Sequence, residues 1–326
     1  MNRRDTVIAM LALGAAPFAR AQQVGRIPRV GYLQTSTRKQ QLHLVKAFED
    51  GLSDHGYRVG QNLLIEYRFA DGDVARLPAL AAELVQLQVD VILTGANPPT
   101  VAAWKITKAI PIVTAFTSDP VGAGLIASLA RPAGNVTGLT SDTGDEIYGK
   151  RLELLREVVP TLSRVAVLWN PDFPPNQRRW TAIREIARKL KLELVSKEMR
   201  GPEDFKPVFD AVAKERVRAL LVLFDTMVFN YRDQIGNLIA KQRLPTISEA
   251  TDMAEVGLLL TYGVDPRDLW RQAATYVDKI LKGAKPSDLP VAQPTKFELV
   301  VNLKSAKSLG IKVPQSVLIR ADRVIE

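Results

Sequence analysis

"RVAVLW", Arg164-Val-Ala-Val-Leu-Trp169, reads as a buried strand, and it echoes "RVGYLQ", Arg29-Val-Gly-Tyr-Leu-Gln34, near the start of the chain. Short apolar runs of this kind suit parallel strands covered on both faces. Two further pairs keep the same order. Ala219-Leu-Leu-Val-Leu-Phe224 echoes Asp90-Val-Ile-Leu-Thr94, and Leu244-Pro-Thr-Ile247 echoes Ile110-Pro-Ile-Val113. From 29 to 164, 90 to 219 and 110 to 244 the offsets are 135, 129 and 134 residues. Conserved order and spacing across more than half of a 326-residue chain predict one unit built twice.

Between the strands lie helical stripes. Leu44, Ala47, Phe48 and Leu52 share a face, as do Leu77, Leu80, Leu84 and Leu87, with Pro78 near the helix start. In the second unit Trp180, Ile183, Ala187 and Leu190 form such a face, and another helix is expected from about Asp204 to Glu215. Leu63–Phe69 and Leu192–Val195 complete the strands. Strand–helix alternation predicts the α/β class, with two doubly wound, Rossmann-like parallel-sheet lobes. Asn135–Thr140 and a helix carrying Tyr148, Leu152, Leu155 and Val159 connect them. Leu258–Tyr262, a helix from Asp265 to Lys282, a stretch with Pro286, Pro290 and Pro294, and a final strand and helix follow. The expected partition gives residues 28–140 plus about 264–284 to the N-terminal lobe, and 141–263 plus about 285–326 to the C-terminal lobe. Several connections between two lobes make a hinge, and ligand sites favour such interfaces.

The N-terminus has its own logic. Met1-Asn-Arg-Arg-Asp5, an apolar stretch from Val7 to Ala16 and Ala19-Arg-Ala21 have the order of a cleaved export signal, residues 1–21. Arg3-Arg4 also permits the twin-arginine route. A periplasmic protein is therefore expected. The chain has no cysteine, so neither a lipid anchor on a cysteine after the signal nor a thiolate metal site is expected. With His43 and His55 the only histidines, no metal, cofactor or catalytic set is expected either. Net charge is +9, and Lys and Arg are interspersed with Glu and Asp along helices rather than gathered in a stripe, so no nucleic-acid partner is expected. Gly122-Ala-Gly-Leu-Ile-Ala127 matches a dinucleotide fingerprint, but it follows a fourth strand and an Asp-Pro turn rather than a first strand. It is read as a loop and helix, which weakens the case for an exported enzyme.

Three segments carry a family resemblance. Ser118-Asp-Pro-Val121 followed by Gly122-Ala-Gly-Leu-Ile-Ala-Ser-Leu-Ala-Arg-Pro-Ala-Gly-Asn-Val-Thr-Gly-Leu139 resembles the "DPV..GLV.SL..PGGNVTG" stretch of a family of ABC-transporter substrate-binding proteins. Arg151-Leu-Glu-Leu-Leu-Arg-Glu-Val-Val-Pro160 is similar to its "LELLKELVP", and Asn302-Leu-Lys-Ser-Ala-Lys-Ser-Leu-Gly-Ile311 with Pro314 to its "NLKTAKALGI..P". The resemblance implies a type I periplasmic binding architecture, a small-molecule ligand such as tryptophan or a related amino acid, and an ABC permease in the inner membrane as partner. A monomer is expected. A ligand-sensing periplasmic module feeding a membrane receptor is the alternative.

In parallel α/β sheets ligands bind beyond the carboxyl ends of strands. That rule selects Thr35 and Ser36 after the first strand, Gly95, Ala96 and Asn97 after the third, and Phe116, Ser118 and Asp119 after the fourth. The crossover adds Ser141 and Asp142. The second unit adds Trp169, Asn170, Asp225, Glu249 and Tyr262. Helix-start N–H groups suit a carboxylate, the acids Asp142, Asp225 and Glu249 an ammonium group, and the aromatic residues a ring. Asn97, ahead of two prolines, is also the expected N-cap of the next helix.

Overall fold

The computed structural model describes residues 26–326, so the expected export signal lies outside the described residues. Strands β1 (Arg29–Gln34), β2 (Leu64–Phe69), β3 (Val91–Thr94), β4 (Ile112–Thr117) and β5 (Val136–Thr140) are interleaved with helices α1 (Arg38–Asp54), α2 (Leu77–Gln86) and α3 (Asn97–Ile106). They form one parallel sheet in the order β2-β1-β3-β4-β5. After α4 (Glu146–Val158) the pattern recurs. β6 (Arg164–Trp169), α5 (Pro174–Lys189), β7 (Glu193–Glu198), α6 (Pro202–Lys214), β8 (Ala219–Val222), α7 (Thr226–Asn230), α8 (Arg232–Gln242), β9 (Thr246–Ser248) and β10 (Leu260–Gly263) follow. The order β7-β6-β8-β9-β10 winds as the first sheet does, which is the structural content of the sequence echo. The chain ends with α9 (Pro266–Leu281), β11 (Glu298–Asn302), α10 (Leu303–Leu309), α11 (Gln315–Arg320) and β12 (Arg323–Ile325). β11 joins the second sheet antiparallel to β10, and β12 runs parallel to β11.

Burial explains the strand compositions. The central strands β3 and β8 are buried throughout and wholly apolar but for Thr94. Edge strand β7 is half exposed and carries Glu193, Lys197 and Glu198, charges that blunt pairing with another chain. Each sheet is covered on both faces. Val30, Phe48, Leu93 and Val113 pack with Trp270, Ala273, Ala274 and Val277 of α9, while Leu33, Ile92 and Ile112 pack with Leu77, Leu84 and Ala103. A fully buried side chain such as Phe48 contributes about 1.5–3 kcal/mol by leaving water. Gly51 lets α1 and α9 approach closely, because a Cβ there would lie 2.5 Å from the Arg271 carbonyl oxygen.

The path of α9 matters for the site. The chain leaves the first sheet after β5, returns to it as α9 after β10, and leaves again to add β11 to the second sheet. Three strands of backbone therefore cross between the sheets.

Two expectations need correction. No helix follows Gly122: residues 121–130 form turns, because Asp119 (φ 47°) and Gly124 (φ 69°) are left-handed and Pro120 and Pro132 bracket the segment. The tail after the prolines holds two strands and two helices rather than one of each, and the second strand closes the sheet edge through β12.

Candidate ligand-binding site

The residues that follow β1, β3, β4 and β5 meet those that follow β8, β9 and β10 around one cavity. It spans about 900 Å³ when its solvent-open mouth is counted. Its two walls differ in chemistry. The first-sheet wall is neutral: Gln34, Thr35, Ser36, Gln41, Gly95, Ala96, Asn97, Ser118 and Ser141, with Leu44, Phe116 and Trp270 as apolar surface. The wall from the second unit holds the charges, Arg151, Arg179, Asp225, Glu249 and Asp252, beside Phe173, Phe224 and Phe229.

Local geometry shapes the neutral wall. Gly95 is forced by packing: a Cβ there would lie 2.2 Å from Trp270 Cζ2. The Gln34 carboxamide, turned to satisfy both partners, accepts from Gly95 N–H at 3.0 Å and donates to its carbonyl at 3.1 Å. Ala96, at φ 99°, is the N-cap of α3 and gives it no side-chain cap. Asn97 is therefore not the N-cap expected from the sequence. Its amide donates to Ser118 O at 2.7 Å and accepts from Ser118 N–H at 2.8 Å, clamping the β3 loop to the β4 loop.

The charged wall is organised around Glu249. Arg179 Nη1 donates to Glu249 Oε1 at 2.8 Å and to Phe224 O at 2.9 Å. Arg151 Nη1 stands 3.1 Å from Glu249 Oε2, at ion-pair distance but off the hydrogen-bond axis, while its Nε donates to Tyr262 O at 2.8 Å. Burial works against the Arg179 charge, but Glu249 and its other anionic neighbours outweigh it and raise its pKa. Asp225 N-caps α7, its Oδ1 accepting from Val228 N–H at 2.8 Å. Its Oδ2 is buried without a hydrogen-bond partner. Burial pushes this carboxyl up to about 6, against the pull of the Val228 N–H, Arg179, the Met227 N–H and the nearby Asn170 side chain. Thr35 Oγ1 and Asn230 Oδ1 are likewise buried without partners.

The lobes touch across the cleft. Arg179 Nη2 donates to Ser118 Oγ at 3.0 Å, Gln40 Nε2 donates to Asn230 O at 2.7 Å, and His43 Nε2 lies 3.1 Å from Asp252 Oδ2. Phe116 meets Phe224 edge-on at 6.3 Å between centroids, and Trp270 and Phe229 extend this chain of rings at 6.1 Å each.

Of the residues selected from the sequence, Thr35, Ser36, Gly95, Ala96, Asn97, Phe116, Ser118, Ser141, Asp225 and Glu249 line the cavity. Asp119, Asp142, Trp169, Asn170 and Tyr262 do not, each for a local reason. Trp169 turns into the core, stacks on Trp180 at 5.6 Å and donates from Nε1 to Ser196 Oγ at 2.8 Å. Tyr262 packs on Phe297. Asn170 caps a turn by accepting from Asp172 N–H, and Asp119 does the same with Gly122 N–H. Asp142 accepts from Asp119 N–H and faces Arg178 at 3.6 Å. Nor is Glu249 an open acceptor for an ammonium group, since two arginines already hold it. Arg151, Arg179 and Trp270 were missed because they sit on helices rather than after strands. A signal existed: Arg179 heads the buried stripe Arg179, Ile183, Ala187, where a lone charge among apolar positions requires a partner.

Comparison with known proteins places the chain among solute-binding relatives. The profile of a family described as ABC transporter substrate binding protein matches residues 33–325. A tyrosine-binding protein of Clostridioides difficile is 27% identical over 267 residues, covering 82% of this chain and 76% of that protein. A Streptococcus pneumonia ABC domain solved in complex with L-Trp is 26% identical, with a TM-score of 0.85 over 92% of this chain and 100% of that one. The ligand-free, open structure of a Clostridium difficile substrate binding protein with adhesive properties is 25% identical and covers 92% of this chain and 99% of that one, but its TM-score is 0.70.

Proposed function

We propose a function from one premise: this chain belongs to the family of ABC transporter substrate-binding proteins, whose members bind solutes rather than transform them. Its ligand is a zwitterionic amino acid with an aromatic side chain. The observation that carries this reading is Asp225 Oδ2, a buried acceptor without a partner on a cavity that also holds a chain of rings. An ammonium group beside Asp225 would offset the cost of burying its carboxylate, and a ring would fit among Phe116, Trp270, Phe224 and Phe229. The relatives named for tyrosine and solved with tryptophan support the same class. Ligand contacts from both lobes stabilise the closed form, and release to an inner-membrane ABC permease follows opening. Residues 28–140 with about 264–292, and 141–263 with about 293–326, act as the two lobes, since residues 289–292 hydrogen-bond along β5 of the first sheet rather than joining the second lobe as expected from the sequence. The protein works as an exported periplasmic monomer. Calorimetric titration with the twenty amino acids tests the ligand. Binding confined to tyrosine, tryptophan and phenylalanine is expected, whereas binding of only aliphatic amino acids or sugars would refute the reading.

A further inference from the structure

We infer that Arg179 reads the ligand's carboxylate through the edge formed by its Nε and Nη2; this rests on the amino-acid reading above. A guanidinium carries five N–H donors. Those on Nη1 are spent on Glu249 Oε1 and Phe224 O, with Asn176 Oδ1 also near at 3.3 Å. Nη2 meets Ser118 Oγ alone, and Nε is buried without any partner. A buried cation that leaves a donor unmet is costly, and the planar Nε/Nη2 edge matches a carboxylate bidentately. Arg179 lines the cavity and is 4% exposed, so its free edge is desolvated rather than on an open surface.

Three helix starts near the cavity are poor anion receptors. A helix start attracts anions through its free N–H groups. Here α3 begins Asn97-Pro98-Pro99 and α5 begins Pro174-Pro175, and each proline removes a donor. The start of α7 already holds the Asp225 carboxylate. Charge balance points the same way. Arg151 and Arg179 share the single carboxylate of Glu249, and with Asp225 ionised these four groups sum to zero, while Asp252 faces His43 across the cleft. A zwitterion with its carboxylate on Arg179 and its ammonium on Asp225 keeps that balance while satisfying both unmet edges. Both charge readers then belong to the second unit, and the neutral wall closes over the ring and backbone of the ligand.

The test compares L-tryptophan and L-tyrosine with their amides and with tryptamine and tyramine, by calorimetry on the wild type and Arg179→Lys. Lysine keeps the charge beside Glu249 but not the fork. The wild type should prefer acid over amide by about 10- to 100-fold, the range for a charge-assisted hydrogen bond, and the variant should lose most of that preference. An uncoupled change in overall affinity, with the acid-to-amide ratio preserved in the folded variant, would overturn the assignment. So would a wild type that binds acid and amide equally. Should the variant not fold, a crystal structure of the wild type with L-tryptophan decides: the carboxylate lies within hydrogen-bond reach of Arg179 Nε and Nη2, or the inference is wrong. A wild type that binds none of the six probes refutes the amino-acid reading itself, which separates the two failures.

Discussion

Asp225→Asn should stabilise the ligand-free protein at neutral pH, even though it alters a buried, hydrogen-bonded side chain. Asparagine caps a helix about as well as aspartate, so the bond to Val228 N–H is kept. What changes is the ionisation penalty. The carboxyl moves from 3.8 to about 6 on folding, so the folded state binds its proton more tightly than the unfolded chain. Stability from this group is complete below the unfolded value and is lost as pH rises through about 6. At about 1.4 kcal/mol per tenfold change, the loss in the wild type is about 3 kcal/mol at pH 8, about half that at pH 5 and under about 1 kcal/mol at pH 4. The variant escapes it. Thermal melts of both proteins without ligand, at pH 4, 5 and 8, read the effect. Other titrating groups cancel in the difference. At roughly 2–4 °C per kcal/mol, the variant should melt several degrees above the wild type at pH 8, with the gap narrowing as the pH falls. A gap that does not change with pH, or a variant less stable at pH 8, would show that Oδ2 is solvated or paired and would remove the main support for an ammonium site.

The same carboxyl sets the pH dependence of binding. Amino-acid affinity in the wild type should rise as pH increases from 5 through about 6 and level off above 7, and Asp225→Asn should bind more weakly with a flat profile, as read by calorimetry. Gly95→Ala places a methyl group 2.2 Å from Trp270, so it should cost about 1–3 kcal/mol in a melt and also weaken ligand binding by displacing the indole. Glu249→Gln removes the carboxylate that Arg151 and Arg179 share, and chemical denaturation should show a loss of about 3–5 kcal/mol. A loss below about 1 kcal/mol would mean that water reaches the pair.

The difference between what the sequence yields and what it hides follows from how each feature is encoded. Duplicated strands are written as contiguous apolar runs, so Arg29–Gln34 and Arg164–Trp169 can be matched by eye, and the carboxyl-end rule then finds Thr35, Gly95, Ser118 and Asp225 without knowledge of side-chain direction. That same rule is blind to direction. Trp169 ends a strand as surely as Gln34 does, yet its ring faces Trp180 and the core while Gln34 faces the cavity. The charged wall is harder, because it depends on helices that meet only in three dimensions. Arg151 and Arg179 lie 28 residues apart on α4 and α5, Glu249 comes from the β9 loop, and no local pattern joins them. Trp270 is harder still, since it reaches Gly95 only because α9 crosses back to the first sheet. The prolines at 98 and 99 illustrate the limit. They mark a helix start, and a helix start suggests an anion site, but each also deletes the donor that such a site requires. Counting donors rather than recognising the motif moves the carboxylate from α3 to Arg179, and it turns the place where the sequence suggested a charge receptor into part of a neutral wall.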